Sequence, residues 1–173
     1  MSAVRGLMIF MTIVLIAVVS GMGCVNAISF KSNIEDNLKL AGDAPTIERA
    51  NVFLGNALKA IEARGLTSGN SALLFHMPTQ DLGIWYQQIK GAQQTTTTII
   101  EKEKSGIPVA QLERDNALMK IRETVLDQGE STNVTAPENA WIYPYQWLFT
   151  ILVVAMIVFL LGTIIVIAVM VGY

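Results

Sequence analysis

Residues 148–171 read LFTILVVAMIVFLLGTIIVIAVMV, a run of about 24 residues without a charged side chain. As an α-helix it would extend roughly 36 Å, enough to cross a hydrocarbon core of about 30 Å with some tilt. Its Leu, Ile, Val and Phe residues favour insertion by about 5 to 10 kcal/mol, and no charge opposes them. We therefore predict that this run is a transmembrane helix.

Four aromatic residues stand at alternate positions just before this run: Trp141, Tyr143, Tyr145 and Trp147. Rings that carry a polar edge are enriched where a bilayer meets water. We predict that residues 140–173 form an aromatic interface segment followed by the C-terminal span. The lipid bilayer is then one partner of the chain.

A second apolar run, Leu7–Ile28, contains no charge and follows Arg5. It is long enough to span, and we predict that residues 1–28 are a transmembrane helix or signal anchor. Two other interpretations stay open. Val25-Asn26-Ala27 satisfies the small-residue rule of a cleaved signal peptide, and Cys24 could be lipidated, although Gly21 is a poor fit at that motif's −3 position.

Charge and cysteine content exclude some partners and indicate a location. The net charge is −2 with acids and bases interspersed, so we expect no nucleic-acid partner. The single cysteine excludes an intrachain disulfide. No Lys or Arg follows Arg122, whereas a cytoplasmic flank of the second span would more often be basic. We therefore predict an integral membrane protein whose middle part lies on the extracytoplasmic side.

The middle part, residues 29–139, has helical periodicity and no comparable strand pattern. Apolar positions at steps of three and four give narrow seams, which are typical of bundles and coiled coils. We expect Asp43 to cap the second helix, Gly65 to end it and Pro108 to open the fourth. Residues 130–139 read as a short tether. The predicted helical legs are the first span continued to residues 41–42, then 45–64, 79–104 and 108–129.

The direction of these legs predicts the fold class. If each leg reverses the one before it, four legs return the chain to the bilayer where the second span begins. We therefore predict an all-α protein: a membrane-anchored up-down bundle of about four helices between two transmembrane helices. The predicted inward-facing residues are Ile47, Ala50, Leu54, Ala57 and Ile61, then Leu82, Trp85, Ile89, Ala92, Thr96 and Ile99, then Leu112, Leu118, Met119, Ile121, Val125 and Leu126.

Candidate chemistry is sparse in this sequence. His76 is the single histidine, so common imidazole metal sites and a Ser-His-Asp triad lack their ligands or base. No phosphate-binding glycine loop is present. We predict no enzymatic activity, no catalytic residue, no cofactor and no metal.

Two aromatic residues and two glycines are the candidate contact residues. Trp85 and Tyr86 could line a ligand pocket between helices, but their spacing favours a core position for Trp85 with Tyr86 at the edge of the seam. Gly83 and Gly91 lie in the same predicted helix and permit close approach of another backbone. They are candidate sites of ligand or partner contact.

Three functions fit these expectations. The leading hypothesis is a non-enzymatic membrane-anchored domain that acts as an accessory, scaffold or assembly subunit and binds another envelope protein. The alternative is a helical bundle that senses a small ligand and signals laterally through a membrane partner. The third is an oligomeric pore former, since uncharged spans give little support to a transporter. We expect a protein partner or a homo-oligomer in each case.

Overall fold

The computed structural model describes residues 2–73, 77–126 and 134–171, and within them it is all-helical, with isolated bridges but no strand. The predicted all-α class is confirmed. His76 and the predicted helix end at Gly129 lie outside the described residues. The elements in chain order are α1 (Ser2–Phe30), a π-helical turn (Lys31–Glu35), α2 (Asp36–Gly42), α3 (Ile47–Ala63), a 3₁₀ turn (Pro78–Gln80), α4 (Leu82–Lys104), α5 (Gln111–Val125) and α6 (Gln146–Val171).

The first helix continues without a break from α1 through the π turn into α2. Phe30, Ile34 and Leu38 are all buried, as their periodicity predicts. They recur at steps of four, which exceed the 3.6 residues of an α-helical turn. The wider π turn, in which the N–H of Asp36 donates to the carbonyl of Lys31, accommodates that spacing and keeps the three on one face.

The predicted seam of α3 is buried along its whole length. Its N-cap is Thr46, whose hydroxyl accepts from the N–H of Arg49 at 3.4 Å, so the predicted cap at Asp43 is wrong. Pro45 explains the difference, because it disfavours helical angles at the preceding residue and so prevents a helix from starting there. Gly65, with φ of +70°, ends the helix as predicted.

The fourth helical leg begins later than predicted, at Gln111 rather than Pro108. Gly106, with φ of +75°, and Ile107 complete the end of α4, where the N–H of Ile107 donates to the carbonyl of Lys102. Ile107 is therefore held outside any following helix. Leu112 and Met119 are exposed, so their predicted inward position is also wrong.

Packing of α2, α3, α4 and α5 forms a helical domain with two clusters of buried residues. The large cluster contains Leu38, Leu54, Ile61, Leu82 and Ile121 among others. A small cluster of Ile47, Ile99 and Ala117 joins the other ends of α3 and α4 to α5. The domain therefore has most of its apolar interior toward the C-terminal half of α3 and the N-terminal half of α4.

Helices α1 and α6 pack against each other outside this domain. Thr12 lies 3.5 Å from Thr163 between hydroxyl oxygens, and Gly23 lies beside Phe149. The described residues include two stretches long and apolar enough to cross a membrane, within Ile9–Gly42 and Gln146–Ile165.

The segment between α5 and α6 is more than a tether in its described part. The N–H of Thr135 donates to the carbonyl of Val125 at 3.0 Å, and Ala140 belongs to the large cluster. The carbonyl of Glu138 accepts from the buried hydroxyl of Ser71 at 2.6 Å. Residues 66–73, 77–81 and 134–145, which we call the junction, thus join the helical domain to the α1–α6 pair.

Candidate functional site

Trp85 and Tyr86, the candidate ligand contacts, both lie in the large cluster. The hydroxyl of Tyr86 donates to Oε1 of Glu62 at 2.7 Å, and the ammonium of Lys90 lies 5.5 Å from the centre of the Tyr86 ring. Trp85 therefore has the core position that its spacing favoured. Neither ring lines the groove that opens between α4 and α5 among the described residues.

The two candidate glycines have different surroundings. A Cβ on Gly83 would lie 3.7 Å from the Cα of Ser68, so this glycine faces a loop of its own chain. A Cβ on Gly91 would meet nothing within 4 Å. Gly91 is therefore the one of the pair that is open to another molecule.

Gly91 lies in a groove of about 400 Å³ between α4 and α5. Gln87, Gln88 and Lys120 line its wall together with Ile121. That volume is within the range of small-molecule sites, and the polar groups could bind a ligand with hydrogen-bonding groups. Of the four candidate contact residues, Gly91 lines this groove and the other three do not. The glutamines of its wall were not predicted, because exposed glutamines in a helix carry no distinctive signal.

The outward side of α5 carries two large apolar side chains. Leu112 is 69% exposed and Met119 is 57% exposed. They are seven residues apart, so they lie on one face about two turns from each other. We call them the α5 outer face. Beside Met119 is a depression of about 300 Å³ whose wall includes Asp43 and Arg122, with 3.6 Å between Oδ1 and Nη2.

The four aromatic residues predicted at the membrane interface divide into two kinds. Trp141 packs edge-on against Phe149 at 5.8 Å between ring centres, and the hydroxyl of Tyr143 lies against Gly69. Tyr145 and Trp147 are exposed, at the start of α6. The first pair thus packs within the chain, and the second pair faces its surroundings.

Arg64 lies where the helical domain meets α1, and the sequence prediction missed it. Its guanidinium donates to the hydroxyl of Ser29 and lies 5.9 Å from the centre of the Phe30 ring. Partial burial lowers the pKa of Arg64, but a guanidinium remains charged. A lone arginine after a helix seam gives no sequence signal of such a contact, since the partner is 35 residues away.

Two carboxylates of the described residues have shifted pKa values. No group of three or more His, Cys, Asp or Glu side chains there could hold a metal ion. Partial burial raises the pKa of Glu35 against the opposing effect of Lys31. Hydrogen bonds from its own backbone N–H and from Thr46, together with Arg114, lower the pKa of Glu48. Both shifts have ordinary structural causes.

Comparison of the chain with protein-family models, curated proteins and solved structures finds no match.

Proposed function

We propose that this chain is a non-enzymatic, membrane-anchored helical domain that binds another envelope protein as an accessory, scaffold or assembly subunit. The α5 outer face is the observation that carries the proposal. Large apolar side chains at heptad spacing on a helix that already packs its other side fit a partner helix. The partner contacts Leu112 and Met119 and places a side chain in the depression beside Met119.

The up-down arrangement of the domain is part of this proposal. Tyr86 contacts Glu62, and Thr96, further along α4, contacts Asn51, which lies earlier in α3. This supports antiparallel packing of the two helices. Glu113 of α5 pairs with Lys102 near the end of α4, so α5 begins at the end of the domain distant from α1 and runs back toward it. The α5 outer face lies on the side of the bundle.

Anchoring of the chain in the membrane through both α1 and α6 is the second part of the proposal. Thr12 meets Thr163 and Gly23 meets Phe149, which supports an antiparallel pair. Cleavage after Ala27 would interrupt the continuous helix from α1 to α2 and remove α6's neighbour, so we propose that α1 is retained. The domain then lies on the extracytoplasmic side, as the basic-residue pattern indicates.

Photo-crosslinking of the full chain in its native membrane tests the partner. A photoreactive residue at position 112 or 119 is expected to give one discrete adduct, because both positions face the same partner. The matched control is position 52 on α3, where Val52 is similarly exposed. Equal adducts at all three positions, or none at 112 and 119, would overturn the proposal. An adduct of twice the chain's mass would show that the partner is a second copy of this chain, and would overturn the proposal of another envelope protein.

The groove between α4 and α5 favours a second candidate function, the sensing of a small ligand. Its volume and its amide-lined wall are the supporting observations. Thermal unfolding of the full chain in detergent, measured against a panel of small polar metabolites, tests this function. A compound that raises the melting temperature of the native chain, but not of Gln88→Leu, supports it, and a panel without such a compound counts against it.

A further inference from the structure

Arg64 is held at a defined depth relative to the proposed bilayer. Asn26 of α1 lines the same small void as Tyr145 and Trp141, so these residues lie at about one level. Ser29, which Arg64 contacts, is three residues further along the helix, or about 4.5 Å outward. Aromatic belts lie at the boundary of the hydrocarbon core, and the headgroups add roughly 5 to 7 Å on each side. The guanidinium therefore lies within the headgroup layer.

The length of α1 gives the same depth independently. The uncharged run Leu7–Ile28 is about 22 residues, or roughly 33 Å as a helix, which spans the hydrocarbon core. Ser29 is the first residue beyond it. Lys31 lies two residues further, exposed, and adds a second positive charge on this side.

Arg64 also differs from the arginines of α5 in its charge partners. Arg114 contacts Glu48 and Glu103, and Arg122 contacts Asp43. Within the described residues no carboxylate lies within 4.0 Å of the Arg64 guanidinium. The guanidinium has five N–H donors, and its Nη2 donates to the hydroxyl of Ser29. The remaining N–H groups lie in one plane and suit two oxygens of one anion.

We propose that Arg64 binds the phosphate group of a phospholipid headgroup. Ser29 and the Phe30 ring orient the guanidinium, and Lys31 adds positive charge. A fixed phosphate contact at the point where α3 meets α1 would set how deeply the helical domain sits on the bilayer. This inference rests on the proposed anchoring by α1 and α6.

Native mass spectrometry of the full chain, released from detergent with added lipid, tests the phosphate contact. Phosphatidylglycerol is expected to stay bound to the native chain, and Arg64→Gln is expected to lower the bound fraction at least about tenfold, as for loss of a charge-assisted pair. Arg64→Lys should lower the bound fraction less than Arg64→Gln, because lysine keeps the positive charge but not the planar set of donors. The matched control is Arg49→Gln, near the opposite end of α3.

Two further arms identify the source of the phosphate. A galactolipid without phosphate should be retained no better by the native chain than by Arg64→Gln. Inorganic phosphate at millimolar concentration should not displace phosphatidylglycerol; displacement would assign the site to a free anion. If Arg64→Gln loses helix content by circular dichroism, Ser29→Ala replaces it, with an expected loss of bound lipid at unchanged helix content.

The outcomes also separate this inference from the anchoring proposal. Equal lipid retention by the native chain, Arg64→Gln and Arg49→Gln overturns the phosphate contact while leaving the anchor intact. Flotation with liposomes is the separate measure of anchoring. A chain that stays in the soluble fraction overturns the anchor and, with it, this inference.

Discussion

The helical domain and the α1–α6 pair contain the same types of apolar residue but differ in how far these side chains are exposed. In the domain, Ile34, Leu54 and Ile61 are fully buried. On α6, Ile157 and Ile164 are about half exposed. The domain is stabilised by its own apolar interior, whereas the pair presents apolar surface that only lipid or another apolar chain can cover.

Shortening a buried side chain should separate the two regions most clearly. Leu54→Ala is expected to lower the free energy of unfolding of the domain by about 2 to 5 kcal/mol, because it removes buried contacts and leaves a cavity. Ile157→Ala, on the exposed side of α6, should change it by less than about 0.5 kcal/mol. Urea unfolding of the full chain in detergent measures both. Similar losses from both variants would contradict the comparison.

Adding one methyl group to a glycine should give effects of opposite sign within the domain. A Cβ on Gly42 would lie 2.7 Å from Cγ of Leu126, so Gly42→Ala is expected to cost about 1 to 3 kcal/mol. Gly91→Ala meets open space and should stabilise α4 by roughly 0.5 to 1 kcal/mol. Thermal melts compare the two. A stabilising Gly42→Ala would mean that α2 and α5 are not closely packed there.

Removing a hydroxyl at the edge of the core tests the polar part of the domain. Tyr86→Phe loses the hydrogen bond to Glu62, and we expect a loss of about 0.5 to 1.5 kcal/mol. Tyr145→Phe is the control, because that ring is exposed. Unfolding in urea is again the measurement. An unchanged midpoint for Tyr86→Phe would show that water replaces the hydroxyl as hydrogen-bond donor to the Glu62 carboxylate at no cost.

The polar contact inside the α1–α6 pair should contribute less. Thr163→Val removes one hydroxyl of the contact with Thr12, and hydrogen bonds between membrane helices average about 0.6 kcal/mol. Thr150→Val is the control, since that hydroxyl donates only to the carbonyl of Gln146 of its own helix in the described contacts. Titration with a denaturing detergent compares them. A loss above about 2 kcal/mol would make this contact the main link between the helices.

Acid should reveal the smallest effect, at the end of the domain distant from α1. The pKa of Glu48 is lowered by hydrogen bonds from its own N–H and from Thr46, so its ionised form stabilises the folded state. That contribution is present above the unfolded pKa of about 4.3 and is lost as the pH falls through the lower folded value. The decrease in the free energy of unfolding on acidification should therefore be smaller in Glu48→Gln than in the native chain. An identical pH profile would remove this role from Glu48.

Prediction from sequence succeeded for helices whose apolar residues lie on a single face that packs into the core. The seam of α3 and the seam of α4 from Leu82 to Ile99 could be read directly, because burial on one side imposes steps of three and four. It failed on α5, where Leu112 and Met119 are as apolar as the buried Ile121. A helix that carries apolar residues on two faces does not state which face is inside.

The all-helical class, the two apolar runs and the end of α3 at Gly65 could be read from the amino-acid sequence, since these follow from local hydrogen bonding, side-chain shape and apolar length. Packing between distant segments sets the contact of Trp141 with Phe149, the position of the groove and the contact of Arg64 with Ser29. Those outcomes depend on residues far apart in the chain. Their free energies arise only when packed helices exclude water between them.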